Sequence, residues 1–283
     1  MANAYRYLLV DVFTDRPLTG NQLAVFTDAR GLPPELMQDL AREMNLSETV
    51  FVLPSEGEGD ARIRIFTPSR ELPFAGHPTL GAAFVLAAPL QLPEIRLETG
   101  GGIVAVRLER DAQGSLSFGR MEQPVPTWEP YEAADELLAA AGLERAELPV
   151  EVYDNGVRHV FVCLPSQEAV AALAPDLARV ARLPNQLGVS FFAGEGTSWK
   201  TRMFAPGSGV PEDPGTGSAA GPLAVHLARH GRIAFGDEIE ISQGVELKRP
   251  CTLYARVEGE GDRIDSVEVS GSAVTVARGE FRL

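Results

Sequence analysis

Four side chains of this 283-residue chain are of types that hold or move protons and stand beside backbone suited to holding an anion: Glu48, His77, Asp213 and Ser218. Glu48 lies in Asn45-Leu46-Ser47-Glu48-Thr49-Val50-Phe51, between an apolar helical segment and an apolar strand. A short loop of that kind can aim a carboxylate into a cleft, and partial burial would raise its pKa toward the range of a general acid/base. His77 follows Gly76 and precedes Pro78 at the start of an apolar helix. A near-neutral imidazole there can donate to a substrate oxygen or shuttle a proton. Asp213 and Ser218 flank a second Gly-rich helix start, Pro214-Gly215-Thr216-Gly217. Taken singly, each has an ordinary reading. Loop glutamates are mostly solvated, and Asp, Ser and His are common caps and loop residues. Asn21, in Thr19-Gly20-Asn21, reads on composition as a turn residue.

What lifts these residues is an internal repeat. Arg64-Ile-Phe66-Thr-Pro68 recurs as Arg202-Met-Phe204-Ala-Pro206, 138 residues on. Pro73-Phe-Ala-Gly-His-Pro78 and the helix after it recur as Glu212-Asp-Pro-Gly-Thr-Gly217 and its helix, offset by 139, and Glu94 to Gly100 recurs as Glu238 to Gly244, offset by 144. Gly20 and Gly156, each before an apolar strand, lie 136 apart. Offsets that drift slowly with order preserved indicate two homologous halves, here 1–122 and 123–283, with the last strand free to cross back to the first half. Each half then supplies a Gly-rich start to an apolar helix. The N–H groups of such a start carry partial positive charge and hold a carboxylate without lysine, and Gly76 and Gly215 let backbone approach a ligand. If the halves face one another, two helix starts converge on one cleft.

The elements that must position these groups are short. Strands are predicted over 7–13, 23–26, 49–53, 62–67, 95–99 and 103–108, with helices from Pro34 to Asn45 and over 79–88. The stretch from Gln123 to Pro130, rich in proline, reads as a linker. Beyond it the pattern predicts a helix over 133–141, strands over 150–153 and 158–164 around the turn Asp154-Asn155-Gly156, and short helices near Glu168 and Leu177. Strands over 189–193 and 199–204, a helix from Ser218 to His230 closed by Gly231, and strands from Glu238 onward complete it.

Apolar residues are 45% and charged residues 23%, so the chain can build a core. A formal charge of -14 disfavours nucleic acid and anionic lipid, and requires any anionic substrate to be held by local donors. The two cysteines, Cys163 and Cys251, lie in apolar strand-like runs and make neither a disulfide framework nor a zinc pattern. Of the four histidines only His226 and His230 are spaced i, i+4, and no facing carboxylate is evident in sequence, so no bound metal is expected. The N-terminus has no export signal and no apolar run is long enough to span a bilayer, so a cytoplasmic protein is expected.

Together the motifs resemble the PhzF-like family, within the diaminopimelate-epimerase-like fold. They are Val10-Asp-Val-Phe13 with Gly20-Asn21, Asn45-Leu-Ser-Glu-Thr-Val-Phe51, Phe66-Thr-Pro68, Glu71-Leu-Pro-Phe-Ala-Gly-His-Pro78 and Asp213-Pro-Gly-Thr-Gly-Ser-Ala219. The resemblance implies an α+β fold of two pseudo-symmetric domains, each a rolled mixed sheet around a central helix, with the site between them. It implies an isomerase that needs neither metal nor organic cofactor and moves a proton within a compound like trans-2,3-dihydro-3-hydroxyanthranilate. Glu48 matches the acid/base, and His77, Asp213 and Ser218 match relay and substrate-binding residues. Asn21, Ser47, Gly76, Gly215, Thr216 and Gly217 fall in the same binding set, and a homodimer is implied. Related epimerases and racemases use two opposed thiols, at positions that are Ala75 and Pro214 here. Neither residue can take a proton, so one carboxylate remains, which suits removing and returning a proton on one face and not inversion. Gly215 stands where the family pattern leads one to expect Ala. The alternatives are tautomerase or lyase action on another metabolite, or a binding protein that has lost turnover.

Overall fold

The structure is a computed structural model that describes residues 4–184, 186 and 188–283; residues 1–3, part of the stretch read above as lacking an export signal, lie outside the described residues. The chain divides into two compact units, Met1–Glu122 with Ser270–Leu283, and Gln123–Val269.

The first unit runs β1 (Ala4–Val12), β2 (Asn21–Phe26), α1 (Pro34–Met44), β3 (Glu48–Leu53), β4 (Ala61–Phe66), β5 (Glu71–Leu72), α2 (Gly76–Leu90), β6 (Glu94–Thr99), β7 (Gly102–Arg110) and β8 (Leu116–Gln123). The second runs β9 (Thr127–Pro130), α3 (Ala134–Ala141), β10 (Glu151–Asp154), β11 (Arg158–Cys163), α4 (Gln167–Ala172), α5 (Leu177–Val180), β12 (Gly188–Glu195) and β13 (Ser198–Ala205). It continues with β14 (Val210–Asp213), α6 (Gly217–Arg229), β15 (Glu238–Gln243), β16 (Cys251–Glu260) and β17 (Arg263–Gly271). The last strand, β18 (Ala273–Arg282), pairs with β1 along its whole length.

The repeat seen in sequence reappears as pairing. In the first unit β1–β2 is antiparallel, β2–β3 parallel, β3–β4 and β4–β5 antiparallel, β4–β6 parallel and β6–β7 antiparallel. In the second, β10 through β16 make the same sequence of pairings in the same order. Each first strand also receives one further antiparallel partner, β18 for β1 and β9 for β10. The stretch from Gln123 to Pro130 is therefore not a simple linker. Its second half is an edge strand, which tolerates Pro130 because an edge position can lack a donor. Strand β8 was likewise not predicted; its sequence, Leu-Ser-Phe-Gly-Arg-Met-Glu-Gln, has too few β-branched residues to signal one.

Each unit is built around a mostly apolar helix that presents almost no side to solvent. In α2 the residues from Gly76 to Val85 are all buried, and in α6 all residues from Gly217 to Ala228. A helix so largely apolar must be surrounded by other elements. A Cβ at Gly81 would lie 2.6 Å from Leu23 Cδ2 and 2.8 Å from Val12 Cγ2, so α2 presses directly on β1 and β2. The helix begins three residues before the predicted Thr79, because Pro78 sits in the first turn, where its missing N–H is not needed. Helix α1 instead buries one face, through Met37, Leu40 and Ala41, and ends at Asn45 in the left-handed conformation, its N–H donating to Ala41 O at 3.1 Å.

The duplication extends to side chains. Arg64 pairs with Glu71 over the Phe66 ring, and Arg202 pairs with Glu212 over the Phe204 ring. The two copies differ in exposure: Glu71 is 42% exposed and Glu212 12%, and Arg202 also donates to Leu173 O at 2.6 Å. Exposed pairs contribute at most about 1 kcal/mol, whereas losing one partner of a buried pair costs about 3–5 kcal/mol. Urea unfolding should accordingly show Glu71→Gln within about 1 kcal/mol of wild type and Glu212→Gln lower by about 3 kcal/mol. Equal losses would mean that burial does not separate the two copies.

Candidate functional site

In the first unit three predicted residues meet. Strands β2 and β3 are parallel with Leu23 opposite Glu48, which brings Asn21 and Glu48 to the same end of the pair. The chain reaches Asn21 through a tight loop: Leu18 N–H donates to Asp11 Oδ2 at 2.7 Å, and Gly20 has φ +72 with no room for a Cβ beside Val12 O. It reaches Glu48 from the left-handed Asn45 through Ser47, which is half-buried. The first turn of α2 supplies Gly76 and His77, both buried. Asn21 Nδ2 lies 3.2 Å from His77 Nδ1, and Glu48 Oε2 lies 3.6 Å from the same nitrogen. The Asn21 amide nitrogen can only donate, so Nδ1 is the acceptor in this contact. The Glu48 side chain is 14% exposed and that of His77 3%. Once protonated, a carboxyl group this close to an accepting imidazole nitrogen can pass its proton to the ring and take it back after a small movement of either side chain. Asn21 was read from composition as a turn residue; it instead opens β2 and faces the imidazole, a contact invisible in sequence because the partners are 56 residues apart.

In the second unit Asp213, Gly215, Thr216, Gly217 and Ser218 are all buried. Thr216 donates from its hydroxyl to Asp213 Oδ2 at 2.5 Å and from its N–H to Gln243 Oε1 at 3.1 Å. Gln243 returns its amide to Asp213 O at 2.8 Å. Ser218 Oγ lies 3.0 Å from His159 Nε2; Asn155 donates to Ser218 O at 2.9 Å and Gln123 to Gly217 O at 2.8 Å. Neither α2 nor α6 is capped by the side chain of its N-cap residue, Ala75 or Thr216. Sequence reading missed Gln123, Asn155, His159 and Gln243. Asn155 was taken for turn chemistry alone and His159 for part of an apolar strand; the one usable signal was Gln243, in the repeated segment that ends at Gly244.

One sequence inference is corrected. A carboxylate does face His226 and His230: Glu151, from β10. A single oxygen, Oε2, accepts from His226 Nδ1 at 3.2 Å, His230 Nε2 at 3.1 Å, Tyr153 OH at 2.8 Å and Arg229 Nη1 at 3.0 Å. The three potential metal-ligating atoms lie within 4.8 Å of one another, but the Arg229 guanidinium already neutralises the carboxylate. The cluster thus reads as a buried charge network. Burial alone would raise the Glu151 pKa, but the hydrogen bonds and the Arg229 charge hold it far below the carboxylate range. The 75 residues between Glu151 and His226 hid this from any motif search.

Residues 10–279 match the model of the PhzC-PhzF family, phenazine biosynthesis-like protein. The chain belongs to the PhzC-PhzF family. This family member is 53% identical over 279 residues, 99% of its own length and 100% of the relative's, to the trans-2,3-dihydro-3-hydroxyanthranilate isomerase of Pseudomonas aeruginosa. It is 51% identical, with the same coverage, to the protein of that name from Pseudomonas fluorescens. Its fold matches the crystal structure of the Bacillus anthracis phenazine biosynthesis protein of the PhzF family, with a TM-score of 0.86, 26% identity and 99% of both chains covered. The PhzF-like chain is an isomerase with an α+β fold. Its two cysteines are buried, and burial raises the Cys163 thiol to about 11, so that it stays protonated near neutrality. Among the described residues no helix is long and apolar enough to cross a membrane.

Burial also lowers the pKa of His159, to about 4, and that of His226. An unfolded chain takes up these protons near pH 6.5 while the folded chain does not. Unfolding free energy therefore is at its full value above about pH 6.5 and falls as pH drops toward 4. For His159 the loss between pH 7 and pH 4.5 is roughly 2 kcal/mol. Urea unfolding at both pH values should show the stability gap between wild type and His159→Gln shrinking by about that amount at pH 4.5. A gap that is the same at both pH values would contradict a neutral, buried His159.

Proposed function

We propose that this chain isomerises trans-2,3-dihydro-3-hydroxyanthranilate, the compound in the names of its relatives, by moving one proton between two ring carbons on a single face. The observation that carries the reading is the nearly buried pair of Glu48 Oε2 and His77 Nδ1, 3.6 Å apart, in a chain with Ala75 and Pro214 where opposed thiols would stand. Glu48 acts as general acid/base, taking the proton from one carbon and returning it at the other. His77, held by Asn21, keeps the carboxyl group oriented and relays protons. Asp213, fixed by the Thr216 hydroxyl, receives the amino group. Ser218 and the N–H groups at the starts of α2 and α6, with Gly76, Gly215 and Gly217 admitting close approach, hold the carboxylate. Ser47 completes the binding set. The chemistry is that of protein side chains, without a metal or organic cofactor. The same reading, supported by the family resemblance, makes the enzyme a cytoplasmic homodimer.

The stable aromatic analogue 3-hydroxyanthranilate separates binding from turnover. Glu48→Gln should lose about a thousandfold in kcat while its affinity for the analogue stays within about threefold of wild type. Turnover within about tenfold of wild type would remove Glu48 from the mechanism.

A further inference from the structure

The second unit contains a buried imidazole that the proposed reaction does not use. His159, on β11, is wholly inaccessible to solvent, and its Nε2 lies 3.0 Å from Ser218 Oγ in the first turn of α6. Its other ring nitrogen, Nδ1, has no hydrogen-bond partner among the described residues. Burial keeps the ring neutral near pH 7, since it lowers the pKa to about 4.

A neutral imidazole carries one proton, and its position decides what Ser218 can do. With the proton on Nδ1, a strong donor would be buried without an acceptor, and Nε2 would consume the Ser218 O–H. With the proton on Nε2, the ring donates to Ser218 Oγ and the bare Nδ1 faces the apolar interior. Orphaned buried N–H groups are the rarer of the two defects, which selects the second state. The Ser218 oxygen then has its lone pair engaged, and its O–H is left to donate elsewhere. The neighbouring polar groups do not compete for that role. The Ser218 carbonyl already accepts from Asn155 at 2.9 Å, and the Gly217 carbonyl from Gln123 at 2.8 Å.

We propose that His159 is a positioning residue that makes Ser218 a hydroxyl donor to the substrate carboxylate. This rests on the reading of Ser218 as a substrate contact, and the experiment distinguishes the two. The first measurement is histidine side-chain 15N NMR of the wild-type protein, whose four histidines are few enough to assign with the His159→Gln spectrum as a difference. The expected result is the Nε2–H tautomer at His159; the Nδ1–H tautomer overturns the proposal.

The second is the dissociation constant of 3-hydroxyanthranilate and of its neutral carboxamide. Ser218→Ala and His159→Phe should each weaken the carboxylate about tenfold and the carboxamide no more than about twofold. The double variant should lose no more than either single one, and His159→Gln, which keeps a side-chain N–H donor, should stay within about threefold of wild type. If Ser218→Ala loses tenfold and His159→Phe loses nothing, the positioning role is wrong and the functional reading stands. If Ser218→Ala binds the carboxylate like wild type, the reading of Ser218 itself fails. Equal losses for both ligands in His159→Phe indicate a packing defect and overturn the proposal. Should that variant not fold, the wild-type tautomer and His159→Gln still decide.

Discussion

Two buried, mostly apolar helices constrain everything else in this protein. Because α2 and α6 are mostly apolar and buried on every side along most of their length, each is enclosed by its own unit's strands, and the enclosure is tight enough that Gly81 has no space for a methyl group. Enclosure fixes where each helix begins. The first turn is the only part of such a helix whose backbone donors lack partners within the helix, so burying the body concentrates polar backbone at one end.

A cluster of buried polar side chains sits at each of those helix starts. In the first unit Asn21 and Glu48, at one end of two parallel strands, reach His77 in the first turn of α2. In the second, Gln123, Asn155, His159 and Gln243 bond to the backbone or hydroxyls of Asp213 to Ser218. The same device, strand ends and loops aimed at a helix start, is used twice with different residues. The first copy holds a carboxylate beside an imidazole and suits proton transfer. The second holds hydroxyls and amides in fixed orientation and suits binding. Duplication kept the pairing order of the strands and the Arg-Glu-aromatic cluster of β4 and β13 while chemistry diverged between the copies.

Much of this was legible in sequence, and the reasons are physical. Apolar periodicity exposed the helices, Asn45 and Gly231 marked helix ends, and the repeat announced two equivalent units because glycines and prolines at helix starts tolerate no drift. His77, Asp213 and Ser218 stood out by residue type beside Gly-rich helix starts, and Glu48 as a carboxylate between an apolar helix and an apolar strand, all of them local signals. What stayed hidden depends on contacts between distant segments. Strand β9 lies in a proline-rich stretch whose pairing with β10 owes nothing to its own composition. Glu151 meets His226 and His230 across a sheet-helix contact, and His159 looks like any residue of an apolar strand until α6 is laid against it.

In the proposed reaction one carboxyl group serves both carbons from one side. Turning the proposed substrate over in heavy water and reading the product by NMR tests it most directly. Transfer by a single carboxyl group leaves at most one deuterium per product molecule, at the reprotonated carbon and in a single configuration. Deuterium in both configurations at that carbon would require a second base on the other face and would contradict it.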